Sequence, residues 1–400
     1  MNILVTGARA PISADIAKAL ALAGHSVWMS DSLAFPVGRF SPFIEGYVRI
    51  SPPRTAFSDF AFELSQACHV LKIDRIIPTS EEVFWLAAVT TLPAGCVPFC
   101  PPLPMLEALH NKASFASLAT ALGYGAGTNQ LLSSRAEVER FIATNNTRDY
   151  VFKPVFSRFA SSVLVGPSRE EARGLRPMRV APWLAQTKAV GTEVCTYNIA
   201  VDGELLLHTA YRPRWRAGKG AGVYFEPVVD PRLRRLSERF VAATSFTGQA
   251  SFDVIDTGSR LVALECNPRG TSGVHLAAQD ELQLGPALVG QVVAGEGAER
   301  PAMLALPHAL YNPGFALTRA GRKAWREADD VMRAAGVPLW AQCLATVELV
   351  SKAFAKGKGA LAMSTADIEW NGEAIPAPSR PWGGASGPAL RRSARQAQTD

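Results

Sequence analysis

The chain has 400 residues, of which 48% are hydrophobic and 19% are charged. This length exceeds that of one small module, and this composition excludes a chain that is disordered throughout. The net charge is only +6, and three of the basic residues (Arg391, Arg392 and Arg395) lie in the last ten positions. We therefore expect no nucleic-acid partner, because so small an excess suits a phosphate- or carboxylate-bearing small molecule equally well.

The six cysteines are scattered, which is typical of a reducing compartment, so we expect a cytoplasmic protein. Cys96 and Cys100 have no second pair of ligands at zinc-site spacing. The N-terminus MNILVTGA lacks the basic and apolar regions of a signal peptide. No apolar stretch approaches the length of a membrane span, so we expect no membrane partner.

Short apolar strands alternate with helical segments in the first hundred residues. The predicted strands are 2–6, 26–30 and 74–79, and the predicted helices are 13–24, 58–72 and a segment that starts at 81. Such alternation predicts a doubly wound parallel sheet, that is, a Rossmann-like domain in the α/β class. The proline-rich run VPFCPPLP (97–104) is typical of a linker after this domain.

The pattern changes after residue 104 to one of hairpins and helices, so the whole chain is expected to be α/β (α+β). The predicted elements are a helix over 105–122, a hairpin of 150–155 and 161–165, a β-rich stretch over 193–211, a helix over 232–245 and a hairpin over 249–267. From about 275 to 356 the chain is predicted to be mostly helical, with a strand and turn at 367–372 and a loosely ordered end over 372–400.

The segment VTGARAPIS after the first strand is similar to a dinucleotide-binding glycine loop. Only Gly7 of the three glycines is present, and Pro11 removes an N–H group from the anion cradle. Asp31 at the end of the second strand could bind a ribose. We expect a Rossmann-like domain without a dinucleotide, and an NAD(P)-dependent oxidoreductase or epimerase remains an alternative.

The segment SFDVIDTGSRLVALECNPRG (251–270) gathers oxygen ligands on two predicted neighbouring strands. A three-residue turn at 257–259 would place Asp253 opposite Ala263 and make Glu265 its diagonal neighbour on the same face. Asn267 would continue that face by the strand period of two. Two carboxylates and an amide oxygen suit Mg²⁺, so we predict a magnesium site here. A two-residue turn would separate the two acids.

The alternative interpretation of this hairpin is a solvated face with ordinary charges. Glu265 lies within an apolar run, LVALEC (261–266), which counts against it. An acid inside a buried strand costs free energy unless a cation or hydrogen bonds compensate it. The sequence therefore favours a functional acid at this position.

ECNPRG resembles the E-x-N-P-R signature of the ATP-grasp ligases, especially the branch that is similar to carbamoyl-phosphate synthase. Four other segments resemble family motifs in the family's order: Asn111–Lys112 at a helix start, YVFKPV (150–155), WLAQTKAV (183–190) and the GTE sequence that ends at Glu193. A Rossmann-like domain also usually precedes the ATP-grasp module in this family. Each motif alone is weak, but their common order makes the resemblance specific.

The resemblance implies a set of ATP and metal contacts. Lys112 and Lys153 would hold the nucleotide phosphates, with Lys153 also at the adenine edge. Gln186 and the following Thr187 and Lys188 would meet adenine, and Glu193 would bind the ribose hydroxyls. In the family's arrangement Asp253, Glu265 and Asn267 hold one or two Mg²⁺ ions, and Mn²⁺ is possible.

The phosphate-covering loop departs from the family's pattern. The family usually has glycines here, whereas VFSRFASS (155–162) contains none. Ser157 and Ser161 are small and offer hydroxyl and N–H groups to phosphates. We expect this loop to cover the phosphates, although its mode of closure differs from that of a glycine-rich loop.

Arginines are the expected charge-stabilising groups. YRPRWRAGKGAG (211–222) contains three arginines and a lysine among glycines, and of these Arg212 is chosen because it ends a predicted strand. Arg269 follows the metal-binding Asn267 directly, so family resemblance and geometry both place it near the transferred phosphate or the acyl group. Arg212 and Arg269 are the predicted catalytic residues.

The resemblance implies a carbon–nitrogen-forming ATP-dependent ligase that activates a small carboxylate as an acyl phosphate for attack by an amine or amino acid. A non-catalytic ATP-binding sensor on the same fold is the alternative, and a homodimer is possible. The expected units are a Rossmann-like domain (1–103), a small ATP-grasp subdomain with the phosphate loop (104–182), a large subdomain with the metal site (183–300), a partly helical substrate-side region (301–372) and a flexible basic tail (373–400).

Overall fold

The computed structural model describes residues 1–156, 163–218, 220–293, 298, 300–357 and 359–376. The strands are β1 (Asn2–Thr6), β2 (Ser26–Asp31), β3 (Gly46–Arg49), β4 (Arg75–Ile77), β5 (Val97–Pro98), β6 (Asn129–Leu132), β7 (Tyr150–Pro154), β8 (Leu164–Val165), β9 (Trp183–Thr187), β10 (Thr192–Val201), β11 (Glu204–Ala217), β12 (Ala221–Pro227), β13 (Gly248–Asp256), β14 (Leu261–Asn267), β15 (Ala302–Met303) and β16 (Asp329–Asp330).

The helices begin with α1 and follow one another along the chain. They are α1 (Ile12–Leu22), α2 (Phe57–Val70), α3 (Glu82–Ala87), α4 (Leu103–His110), α5 (Lys112–Ala121), α6 (Arg135–Thr144), α7 (Arg169–Arg173), α8 (Pro231–Thr244), α9 (Val274–Ala277), α10 (Glu281–Leu288), α11 (Ala305–Tyr311), α12 (Arg319–Glu327), α13 (Val331–Ala334), α14 (Leu339–Lys356) and α15 (Ala360–Met363). Short 3₁₀ segments cover Val37–Phe40, Thr147–Asp149 and Pro313–Leu317.

The N-terminal domain is built on a parallel sheet of the order β3-β2-β1-β4-β5 within the described residues. Its central strand is buried because residues 3–6 are all enclosed by neighbouring strands and helices. The three strands predicted from the sequence are present, and β3 and β5 are short additions. The predicted Rossmann-like α/β architecture is confirmed.

Gly7 is the turn at the end of β1, and its φ of +71° lies in the left-handed region. A Cβ at this position would lie 2.5 Å from Thr79 Oγ1 and 2.6 Å from Glu82 Oε1. Glu82 in turn accepts hydrogen bonds from Thr6 Oγ1 and from the backbone N–H of Thr79. The glycine therefore allows the ends of β1 and β4 to join in a tight, buried hydrogen-bonded group.

Two antiparallel sheets follow the N-terminal domain. The smaller has the order β6-β9-β7-β8, and the larger has the order β14-β13-β10-β11-β12-β15-β16, with only β15 and β16 parallel among its described pairs. Aromatic side chains of α5, α8 and β13 form the core under the larger sheet, where the rings of Phe115, Phe240 and Phe252 stack. Lys153 of the smaller sheet reaches the carbonyl of Leu264 on the larger sheet, so the two sheets meet where the predicted motif residues lie.

The end of the described chain returns to the N-terminal domain. Trp85 Nε1 donates to the carbonyl of Ile368 (2.9 Å), and the Trp370 ring stacks on Phe84 with ring centroids 4.9 Å apart. Residues 367–372 form turns and bends rather than the predicted strand and turn. The strand prediction is wrong because the apolar residues of this segment insert into the N-terminal core one by one instead of pairing with a sheet edge. Residues 377–400, most of the predicted basic tail, lie outside the described residues.

Among the described residues, every helix is too short or too polar to cross a membrane.

Candidate active site

Four polar side chains form one row across the larger sheet. Asp253 on β13 pairs directly with Glu265 on β14 and with Cys195 on β10, and Cys195 pairs with Tyr211 on β11. Directly paired residues share a face of the sheet, so these side chains lie side by side on the face that turns toward the smaller sheet. We call Tyr211, Cys195, Asp253 and Glu265 the acidic row.

The acidic row arises from a register that differs from the predicted one. Asp256 pairs with Leu261, so the turn has four residues rather than three, and by itself it would place Asp253 and Glu265 on opposite faces. A β-bulge between Asp253 and Val254 leaves Leu264 as the extra residue and restores the shared face. Glu265 is thus the direct partner of Asp253, not its diagonal neighbour.

Two buried lysines lie at the Glu265 end of the acidic row. Lys112 begins α5, where the Asn111 side chain caps the helix, and its Nζ lies 3.3 Å from Glu265 Oε2. Lys153 on β7 donates from Nζ to the carbonyl of Leu264 at 3.0 Å. The structure therefore brings Lys112, Lys153, Asp253 and Glu265 together from four separate elements.

The two carboxyl groups of the row interact as a coupled pair. Burial and the adjacent Glu265 raise the pKa of Asp253, so its carboxyl group holds a proton and donates it toward Glu265. Burial opposes ionisation of Glu265 as well, but the two ammonium groups of Lys112 and Lys153 outweigh it and lower the pKa of Glu265. The Glu265 side chain keeps 30% of its surface exposed, so the pair opens to solvent on one side.

Lys153 is an unusual cation because only 5% of it is exposed. Burial lowers its pKa to about 8, with Glu265 acting in the opposite direction and Lys112 in the same direction. The charged form of such a lysine is only weakly favoured near neutral pH, and a bound anion would stabilise it. The electrostatics suit a polyanionic ligand next to the carboxylate pair.

Asn267 and Arg269 continue from the acidic row toward the N-terminal domain. Asn267 lies two residues after Glu265, and its Oδ1 accepts a hydrogen bond from Arg269 Nη2 at 3.1 Å. The same Nη2 lies 3.6 Å from Glu81 Oε1, a fully buried carboxylate at the start of α3. Arg269 thus links the predicted metal-binding segment to the carboxyl end of the parallel sheet.

Glu193 lies at the solvent side of the same sheet face. It is two residues before Cys195 on β10, and its Oε1 accepts from Arg216 Nη2 at 2.6 Å. Arg212 is exposed, and it follows Tyr211 directly, so strand alternation directs it to the opposite face. The described structure brings Arg216, rather than Arg212, to the face of the acidic row.

The predicted adenine-binding residues Gln186, Thr187 and Lys188 lie at and just after the end of β9, a strand between β6 and β7. Gln186 is buried and its Nε2 donates to Asn129 Oδ1 at 3.0 Å, while the backbone N–H groups of Thr187 and Lys188 donate to Thr128 and Asp149 carbonyls. The smaller sheet therefore holds these residues in place, next to β7, the strand that carries Lys153. Ser157 and Ser161 lie outside the described residues.

Asp253, Glu265 and Asn267 are the predicted donor set for a divalent ion. Among the described residues no group of three or more His, Cys, Asp or Glu side chains has metal-site geometry. The chemistry of the predicted set is nevertheless that of a magnesium site, with two carboxylates and one amide oxygen. The proton shared by Asp253 and Glu265 relieves the repulsion between the two carboxylates. A cation between them would do the same, so the residues present fit a divalent ion.

Asp31, the carboxylate that the oxidoreductase alternative assigns to a ribose, is enclosed by the protein's own groups. Arg9 Nη2 lies 2.6 Å from Asp31 Oδ1, and the Arg9 backbone N–H also donates to Asp31 at 2.8 Å. Arg9 contacts Asp367 from the end of the described chain as well. The ribose position is therefore filled by an intramolecular ion-pair network.

Sequence reasoning missed Cys195, Tyr211 and Glu81 as members of this region. The Cys195 thiol donates to Asp253, and burial together with that carboxylate raises the pKa of Cys195 well above its usual value. The signal was partly available, because Cys195 is two residues after Glu193 and so shares its strand face. Glu81 gave no such signal, because its contact with Arg269 joins two domains.

Comparison with known proteins gives structural likeness only. No protein-family model matches the sequence, and no curated protein matches it significantly. The fold is similar to N5-carboxyaminoimidazole synthetase from Staphylococcus aureus, with a TM-score of 0.58 and 13% identity over 78% of this chain and 86% of that one. It is also similar to L-amino acid ligase from Bacillus licheniformis, with a TM-score of 0.57 and 17% identity over 75% of this chain and 79% of that one.

A third solved structure agrees with these two. Phosphoribosylamine–glycine ligase from Thermotoga maritima has a TM-score of 0.57 and 12% identity over 75% of this chain and 78% of that one. At such identities the likeness establishes the fold, and all three of these proteins are built on the fold of the ATP-grasp superfamily. The chain is therefore a Rossmann-like domain followed by an ATP-grasp fold.

Proposed function

We propose that the protein is an ATP-dependent ligase that joins a carboxylate to an amine, or to another nucleophile, through an acyl-phosphate intermediate. One observation carries the proposal: two buried lysines, Lys112 and Lys153, converge on the Asp253–Glu265 pair at the solvent-open face of an ATP-grasp sheet. Adjacent half-buried carboxylates whose pKa values are displaced in opposite directions are typical of functional sites. A nucleoside triphosphate with its divalent ion fits both signs of charge.

Each predicted ATP contact has a place in this proposal. Lys112 and Lys153 bind the phosphates, and the end of β9 (Gln186, Thr187 and Lys188) lines the base. Glu193 binds the ribose hydroxyls after it exchanges Arg216 for the sugar. Ser157 and Ser161 keep their predicted role on the phosphates.

Asp253, Glu265 and Asn267 would hold the divalent ion, Mg²⁺ or Mn²⁺. A bound ion of this kind supplies charge neutralisation and alignment of phosphate oxygens. Without the ion, the proton on Asp253 removes one of the two negative charges. Asn267 is kept in orientation by the hydrogen bond from Arg269.

The proposed reaction has two steps. A substrate carboxylate oxygen attacks the γ-phosphorus, the bond to the ADP oxygen breaks, and ADP leaves. The amine nitrogen then attacks the acyl carbon, phosphate departs, and the nitrogen loses a proton. The protein positions the groups and offsets the developing negative charge, and the Arg269 guanidinium, which is hydrogen-bonded to Asn267, contributes to this offset.

The substrates proposed are small molecules, a carboxylate and an amine or amino acid, with no nucleic-acid or membrane partner. Two of the similar structures are named as L-amino acid ligase and phosphoribosylamine–glycine ligase, both of which concern amino acids. An amino acid or peptide-like acid is therefore the first choice to test. The partly helical region 301–372 keeps its predicted role on the substrate side.

A phosphate-release screen over carboxylates paired with amines tests the proposal, with ATP and Mg²⁺ supplied. Release that requires both a carboxylate and an amine, and that is lost in Glu265→Gln, is the expected result. ATP binding without release over the whole panel would instead indicate the non-catalytic sensor. Tight NADPH binding without ATP binding would indicate the oxidoreductase, which the enclosure of Asp31 by Arg9 disfavours.

A further inference from the structure

The last long helix, α14, exposes a continuous apolar stripe. From Trp340 onward its members are three or four residues apart, and at 100° per residue all of them, with Leu339, fall on one side of the helix. The stripe consists of Leu339, Trp340, Cys343, Val347, Val350 and Phe354, all exposed. We refer to this set as the α14 stripe. No charged residue lies within it.

The opposite side of α14 is firmly attached to the rest of the molecule. Glu348 accepts hydrogen bonds from the backbone N–H groups of Ala34 (2.9 Å) and Phe35 (2.7 Å), and Ala341 and Ala353 are buried. The Trp340 ring meets Phe40 edge-on, with ring centroids 5.1 Å apart. Apart from this contact of Trp340, the helix is held in place by its other side, and the stripe stays exposed.

A cavity opens beside the first turn of α14. It has a volume of about 570 Å³, and its lining includes Ala305, Leu306, Trp325, Val337 and Leu339. Asp330 and Arg333 are the charged residues at its wall, one of each sign. At the other end of the helix the Phe354 side chain is 91% exposed. A cavity and a projecting aromatic ring thus lie at opposite ends of one stripe.

We propose that the α14 stripe is a dimer interface at which a second copy of this chain packs its α14 antiparallel to the first. A two-fold axis between Val347 and Val350 places each Val347 opposite the partner's Val350. It also brings the exposed Phe354 ring of each copy to the first turns of the other helix, beside the cavity. Antiparallel helices pair these positions in the same manner as knobs and holes.

Three features favour a second copy over another occupant. An isologous interface requires one surface to be complementary to itself, and the projecting ring and the cavity on the same stripe meet that requirement. The stripe is uncharged, so two copies bring no like charges together. Lys352 flanks the stripe and pairs with Glu348 of its own helix at 3.2 Å, so its charge is already balanced when a second copy approaches.

The available area also suits a dimer of ordinary size. Trp and Phe side chains bury about 150–250 Å² each when enclosed, and Trp340 and Phe354 are 60% and 91% exposed. With Leu339, Val347, Val350 and the cavity wall added, the surface approaches the ~800 Å² per partner of a standard interface. An exposed apolar surface of this extent is uncommon on a monomer.

Measurement of molar mass by light scattering during gel filtration tests the proposal on the full chain. We expect a dimer for the wild type at tens of micromolar, and a monomer for Val347→Glu, because two carboxylates would be buried at the axis. Val180→Glu is the matched control, since Val180 is 87% exposed and lies in the small ATP-grasp subdomain, so it should remain dimeric. Both variants should still unfold in one cooperative transition, which shows that each keeps its fold.

A monomeric wild type overturns the proposal, and its co-sedimentation with phosphatidylglycerol vesicles would then assign the stripe to a lipid surface. A dimer that survives Val347→Glu places the interface elsewhere and equally overturns it. Neither outcome affects the ligase proposal, because α14 contributes no residue to the acidic row.

Cysteine cross-linking tests the antiparallel register. Cys343 is exposed, and the proposed axis places it opposite residue 354 of the partner. Oxidised Phe354→Cys should therefore form a covalent dimer that the double variant Cys343→Ser/Phe354→Cys does not form. A Cys343–Cys343 dimer in the wild type would indicate parallel helices, and no cross-link in Phe354→Cys would contradict the register.

Discussion

Two acids, the buried Asp31 and the half-buried Asp253, lie at strand positions where a ligand could bind, yet their surroundings differ. Asp31 is 4% exposed, and Arg9 meets it through both the guanidinium and the backbone N–H. Asp253 lies directly beside a second acid, Glu265, and the cations near the pair contact Glu265 and a backbone carbonyl instead. The charge of Asp31 is balanced by a cation of the fold, whereas ionisation of Asp253 is opposed by the neighbouring Glu265.

This difference separates a structural charge from a functional one. A buried acid with a matched cation holds two segments together, and a ligand would have to break that pair before binding. A pair of like charges with displaced pKa values lowers stability, and the loss is recovered only when a cation or polyanion binds. The comparison predicts opposite consequences for substitutions in the two places.

The largest effect is expected from Glu265→Gln. The amide keeps the size of the side chain but removes the charge that faces Lys112, so carboxylate-dependent ADP formation should fall about 10³-fold or more. The measurement is ADP release under saturating ATP and Mg²⁺. Glu139→Gln removes a surface ion pair with Arg173 and should leave the rate unchanged. Normal turnover by the Glu265 variant would remove the metal assignment.

Arg9→Met should affect stability instead of catalysis. It leaves Asp31 buried without its cation, and breaking such a pair costs about 3–5 kcal/mol. Urea unfolding measures this loss. Arg54→Met is the control, because its partners Glu369 and Glu373 are partly exposed and surface pairs contribute about 1 kcal/mol or less. Equal losses in the two variants would contradict the structural role of the Arg9–Asp31 pair.

Lys153→Met should weaken ATP binding about 100-fold, since a charge-assisted contact to phosphate is lost in a nearly dry position. The wild-type affinity should also fall as the pH rises through about 8, because that is the pKa to which burial lowers Lys153. Calorimetric titration at several pH values would detect both effects. A wild type and a variant with the same pH dependence would indicate that Lys153 does not meet the phosphates.

Asp253→Asn should stabilise the protein in the absence of metal and nucleotide while it abolishes activity. The native pKa of Asp253 is raised, so the unfolded chain loses this proton first as the pH increases, and wild-type stability falls between the two pKa values. The asparagine does not titrate. Its melting temperature should therefore exceed that of the wild type by a few degrees at pH 8 and by less at pH 4.5. A less stable variant at pH 8 would contradict this.

The smallest effect is expected at the edge of the site. Arg216→Ala frees Glu193 from an exposed ion pair, so the KM for ATP should change only a few-fold, in line with the weak free energy of such pairs. Arg212→Ala provides the comparison. If Arg212 acts in catalysis as the sequence predicts, its replacement lowers kcat; if its outward direction is retained during turnover, kcat stays unchanged.

Asp253 and Glu265 could be placed together from the sequence because they lie in one recognisable hairpin. Lys112 and Lys153 stand out only through the resemblance of their segments to the ATP-grasp motifs, and the structure brings all four side chains together. The shared face of Asp253 and Glu265 was predicted with the wrong register. Turn length and the bulge at Leu264 each shift the pairing, and the bulge depends on contacts such as that of Lys153 with the Leu264 carbonyl, which local sequence does not encode.

Contacts between distant segments could not be predicted. Arg9 meets Asp31 after 22 residues and Asp367 after 358, and Arg269 approaches Glu81 from another domain. Such pairs depend on how the units pack, and no period of two or 3.6 residues indicates them. The sequence favours Arg212 because it ends a predicted strand, and it does not indicate the irregular pairing between Pro213 and Arg216 that brings Arg216 to Glu193.

The most direct test is a crystal structure with ADP and Mn²⁺, in which the anomalous signal locates the ion. Manganese density between the carboxylates of Asp253 and Glu265, with the nucleotide phosphates beside Lys112 and Lys153, is the result this account predicts. Nucleotide bound at the Asp31 end of the parallel sheet, or manganese away from both carboxylates, would contradict it.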